Sequence, residues 1–144
     1  MIKTPVLGDR ICGLNALDRW SQTMKDDAHF SIDEDEMHWP RYLGFTIATT
    51  MLIDQLNAAP FLKEIAEAIP EIRNQLSPVV ECYRASSELI KKARNLIADD
   101  FSSNAIERFG NSTIRKEYAE LLSGIYENTR AAAQGIRTAI EEIT

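Results

Sequence analysis

Residues 42–53 read YLGFTIATTMLI, twelve positions without a charge in a chain whose other long segments mix acids and bases. The run is too short for the roughly 20 apolar residues of a membrane-spanning helix. Pro40 stands just before it and Asn57-Ala-Ala-Pro60 just after, and proline both starts helices and stops those that precede it. The pattern predicts a buried central helix over 40–57.

On either side, apolar residues recur at helical spacing. Thr4-Pro5 reads as a cap followed by proline at the first helical position, and Leu7, Ile11, Leu14, Leu17 and Met24 follow. These predict a first helix ending near Lys25, with Gly8 and Gly13 weakening its first turns. Ser31-Ile32-Asp33-Glu34 matches a capping box and predicts a short helix over 32–38. Pro60 opens a further helix with Leu62, Ile65, Ala66 and Ile69 on one face, which Pro70 either kinks or ends. Ser77-Pro78 repeats the cap-plus-proline signal and predicts a new start, after which Val79, Tyr83, Ser86, Ile90, Ala93 and Ile97 step by four and three. Asn104 and Glu107 suit a short helical turn ending at Gly110.

Asn111 or Ser112 caps the longest element. Its positions Tyr118, Leu122, Ile125, Thr129, Ala132, Ile136, Ala139 and Ile143 alternate steps of four and three, the seam of a left-handed helix pair or bundle. About 30 helical residues span on the order of 45 Å, so the end of this helix is expected to project or to pack against a second copy. Beside the seam lie Gly124, Asn128, Ala131, Gly135 and Thr138. Such a line of small residues fits a close crossing by a helix of the same chain, or a homodimer contact. The fold class expected is all-α: one helical domain over 1–144, a bundle of about four to six helices with a long C-terminal helix. A chain of 144 residues buries roughly 68–70% of its unfolded surface and needs no covalent or metal staple.

Charge changes the picture more than composition does. Residues 1–25 carry four bases against two acids and residues 40–144 twelve against fourteen, so the entire net charge of −6 resides in residues 26–39. That segment holds Asp26, Asp27, Asp33, Glu34, Asp35 and Glu36 and no lysine or arginine, with Phe30 and Trp39 as its aromatic residues. The tightest basic group, Lys91, Lys92 and Arg94, reads as a solvated helix face supported by Glu88. Nucleic acid is therefore not the expected partner, because phosphate contacts need a clustered basic surface. The first twenty residues contain no apolar core of a signal peptide, and a cytoplasmic location is expected. Cys12 and Cys82 fall in separate predicted helices and are expected as buried free thiols.

Candidate chemistry is sparse. Asp26-x-x-His29 and Asp35-x-x-His38 pair a carboxylate with an imidazole at helical spacing, but a di-iron bundle distributes its Glu-x-x-His pairs over two helices and adds two further glutamates. The segment also lacks the glycine and twelfth-position glutamate of a calcium loop. Glu64-x-x-Glu67 has no matching acidic pair at Glu81 and Glu88, and no phosphate loop or nucleophile elbow occurs. Asp54, directly after the apolar run, is expected to face water.

These features favour a non-enzymatic interaction protein without cofactor, of the inhibitor, immunity, anti-defence or adaptor kind. It would bind a basic protein surface through Asp26, Asp27, Phe30, Asp33, Glu34, Asp35, Glu36 and Trp39. The alternatives are a metal-dependent enzyme or metal-binding helical protein using His29 and His38, and a homo-oligomeric structural subunit assembled through the last helix.

Overall fold

A computed structural model describes residues 6–7, 10–11, 13–30, 43, 57–97, 107–108 and 110–143. The expected central helix over 40–57, the capping box at 31–34 and Asp54 lie outside the described residues, apart from Leu43 and Asn57. The fold is all-α. Among the described residues four α-helices stand out: α1 (Leu14–Lys25), α2 (Ala58–Ala68), α3 (Arg73–Ile97) and α4 (Ser112–Ile143).

The first helix begins at Leu14, nine residues later than the Thr4-Pro5 signal predicted. Val6–Leu7 and Arg10–Ile11 instead form a two-residue antiparallel ladder, β1 and β2, with Val6 opposite Ile11 and Leu7 opposite Arg10. The intervening Gly8-Asp9 is a dipeptide that favours a two-residue hairpin connection. Gly13 then precedes α1 with φ 65° and ψ −143°, a backbone geometry that disfavours any side chain, so this glycine marks the boundary of the helix. Leu17, Ser21 and Met24 are buried on α1.

Pro70 ends one helix and starts another element. α2 stops at Ala68, Ile69 is non-helical (φ −126°, ψ 84°), and Pro70–Ile72 form a 3-10 turn that runs directly into α3. Ser77-Pro78, expected as a helix start, lies inside α3. The Ser77 hydroxyl donates to the Arg73 carbonyl (2.9 Å) and so back-bonds rather than caps. Proline forfeits one helical hydrogen bond there, but Leu76, Val79 and Val80 around it are buried, and their burial holds the helix through that position. At α4 the capping prediction holds: the Asn111 side-chain oxygen accepts from the backbone N–H groups of Thr113 (2.9 Å) and Ile114 (3.2 Å).

α3 and α4 form an antiparallel pair. The N-terminal part of α3 meets the C-terminal part of α4, where Gln75 donates to Glu142, so the end of α4 as far as Glu142 lies alongside the bundle rather than projecting. Two apolar clusters occupy this pair. In the first, α1 and Phe30 cover Ile90, Ala93 and Ile97 of α3 and Tyr118, Ala119, Leu122 and Ile125 of α4. In the second, α2 and Ile72 cover Leu76, Val79 and Val80 of α3 and Ala132 and Ala139 of α4. The expected seam of α4 is thus the core-facing stripe: Tyr118, Leu122, Ile125, Ala132 and Ala139 are buried, with Thr129 and Ile136 half-buried.

The small-residue line is explained in part by close approach within the chain. A methyl group at Gly135 would sit 2.5 Å from Cγ2 of Val79, and one at Gly124 would sit 2.8 Å from Cδ1 of Leu89. Both neighbours belong to α3. Ala131 and Thr138 are exposed.

Candidate functional site

The described part of the acidic segment begins where α1 ends. Asp26 breaks the helix by adopting an extended backbone, and its carboxylate oxygen accepts from the N–H of Ala28 (3.0 Å), a turn in which the side chain replaces a backbone partner. Residues Asp27–Phe30 then make a 3-10 turn whose Asp27 and Phe30 meet the start of α4.

A buried arginine receives this turn. Arg115 is 2% exposed and stands in the first turns of α4. Its guanidinium donates to the carbonyl of Gly110 (2.6 Å) and to Oδ1 of Asp27, and its carbon lies 4.3 Å from the centroid of the Phe30 ring. The other carboxylate oxygen of Asp27 accepts from the Ser112 hydroxyl (3.1 Å), with the Lys116 ammonium 3.8 Å away. A planar, permanently charged fork is suited to this work, because it satisfies an anion and a carbonyl in fixed directions while its face rests on an aromatic ring. The Ser112 hydrogen bond, with help from Lys116 and Arg115, holds the Asp27 carboxyl below the usual carboxylate range. Its place beside the N-terminus of α4 favours the anion as well.

Of the residues expected to face a partner, the structure places three in this clamp or next to it. Asp27 is more than half exposed yet engaged by Arg115 and Ser112. Phe30, expected as an aromatic anchor on the surface, is 2% exposed and packs in the first apolar cluster, because its ring completes the cover over α4 under Arg115. Asp26 is exposed and has His29 Nε2 3.4 Å from its carboxylate, a contact that needs no metal to explain the Asp-x-x-His spacing. Asp33, Glu34, Asp35, Glu36 and Trp39 lie outside the described residues, as does His38.

Arg115 escaped notice in the sequence because it reads as one of several bases on an amphipathic helix. A signal was present. Arg115 lies three residues before Tyr118, on the same edge of the α4 seam, where an apolar residue would continue the pattern.

Among the described residues no group of three or more histidine, cysteine, aspartate or glutamate side chains is arranged to hold a metal ion. Glu64 and Glu67 are exposed on α2, and Cys82 is a half-buried free thiol. Glu88 pairs with Lys91 (2.8 Å), one position earlier than the expected Lys92, and that contact lowers the Glu88 pKa. No described helix is long and apolar enough to cross a membrane. No protein-family model, curated protein or solved structure shows significant similarity to the chain.

Proposed function

We propose that the protein is a non-enzymatic interaction module that captures a partner with a basic surface through residues 26–39, acting as an inhibitor, an immunity or anti-defence factor, or an adaptor. The observation that carries this reading is the confinement of the whole negative excess to a segment whose first residues are pinned to the bundle. A concentration of one sign of charge raises association rates with an oppositely charged partner and selects for a complementary surface. Asp27 and Phe30 attach the segment to the bundle, while Asp26 together with Asp33, Glu34, Asp35, Glu36 and Trp39 present charge and aromatic surface.

The test is a variant carrying Asn or Gln at 33, 34, 35 and 36, compared with the native chain in affinity capture from lysate. Partners bound by the native chain at low salt and released as salt rises should be lost from the variant. An identical set of captured proteins would sink the reading.

A further inference from the structure

Where α2 and α3 pack together, Ala66 faces Ser77 and Val80, and side chains this small leave open space between the helices. Two adjoining hollows result, of about 410 and 400 Å³. Lys63 of α2 and Arg84 of α3 border both. Arg73 borders the first hollow and Tyr83 the second.

In a chain of net charge −6, this convergence of three bases runs against the overall field. Each arginine is held by a hydrogen bond that leaves donors to spare. Arg73 donates Nε to the Ala66 carbonyl (3.2 Å), and Arg84 donates Nη1 to Glu81 (2.6 Å). Lys63 has no ion pair among the described residues. Two carboxylates on the same wall, Glu67 and the Arg84 partner Glu81, oppose the cations, so the bases outnumber the acids there by three to two. Positioned guanidinium forks with a nearby ammonium match the oxygens of a phosphate, and an adjoining hollow edged by a half-buried tyrosine ring suits a flat apolar body. The volumes fall within the usual range for small-molecule sites.

We infer that the α2–α3 groove binds a small phosphate monoester with a planar body. Its phosphate occupies the first hollow between Lys63, Arg73 and Arg84, and its ring lies in the second against Tyr83.

Calorimetric titration of the full chain with adenosine 5′-monophosphate, inorganic phosphate and adenosine as separate probes tests this. The monophosphate should bind most tightly. Lys63→Ala and Arg84→Ala should each weaken it roughly tenfold, about the contribution of one charged hydrogen bond. Tyr83→Ala should weaken the monophosphate and leave inorganic phosphate unchanged, while Glu67→Gln should tighten both. Lys92→Ala, on the far part of α3, serves as the charge control and should change nothing. Matching circular dichroism spectra establish that each variant is folded. No saturable binding of the monophosphate at millimolar concentration, or binding indifferent to Lys63 and Arg84, would overturn the site. Equal affinity for inorganic phosphate and the monophosphate would overturn the planar body.

Discussion

Truncating Arg115 to alanine removes a donor to the Gly110 carbonyl, the counter-charge of Asp27 and the cover of Phe30 together. Loss of hydrogen bonds to a charged group costs about 1.5–3 kcal/mol each, so urea unfolding of Arg115→Ala should show a loss of about that size or more. Arg115→Lys should recover little of it, because a single ammonium cannot reproduce the fork. Asp27 supplies a pH signature. Its pKa is lower in the folded state, so its contribution is fully present above the ordinary carboxylate range and is lost as pH falls through the lowered folded value. Stability measured from neutral pH downward should therefore decline less steeply in acid for Asp27→Asn than for the native chain, and equal slopes would mean that the pairing contributes nothing.

At the scale of elements, the crossing of α3 and α4 distinguishes two glycines that look equivalent in sequence. Replacing glycine by alanine inside a helix gains about 1 kcal/mol of propensity where space allows. At Gly124 the obstacle is the tip of Leu89, a half-buried side chain that can turn aside, so Gly124→Ala should leave the melting temperature unchanged or raise it. Gly135 faces Val79, which is β-branched and 1% exposed. A stiff, enclosed neighbour cannot yield, and overpacking typically costs about 1–3 kcal/mol. Gly135→Ala should accordingly lower the melting temperature, and equal behaviour of the two variants would refute this account of the crossing. The same crossing explains why Pro78 is tolerated: the apolar residues beside it bury against α2 and α4 and outweigh one missing hydrogen bond.

For the whole molecule, α3 and α4 run through both apolar clusters and should couple them into one cooperative unit. Trp20 reports on the first cluster, where its ring meets Tyr118 edge-on at 6.0 Å. Leu76→Ala, in the second cluster, should cost about 2–5 kcal/mol as a buried truncation. In a Trp39→Phe background, that loss should move the Trp20 fluorescence transition and the circular dichroism transition together. A fluorescence midpoint that stays in place while the dichroism midpoint falls would show two independent halves.

The sequence by itself determined the helical class, the core stripes of α3 and α4 and a cap at Asn111 or Ser112, because burial on a helix repeats every three to four residues and capping is a local bond. It also located the charge imbalance, which is a matter of composition. Tertiary structure decided the rest. Whether Pro78 begins or interrupts a helix depends on what Leu76 and Val80 pack against, and whether Gly135 serves an internal crossing depends on Val79, 56 positions away. Asp27 and Phe30 looked like free surface charge and surface aromatic until Arg115, 88 residues from Asp27, paired with the one and lay over the ring of the other. Contacts over such separations are set by the docking of whole helices, and no local pattern of residue types encodes them.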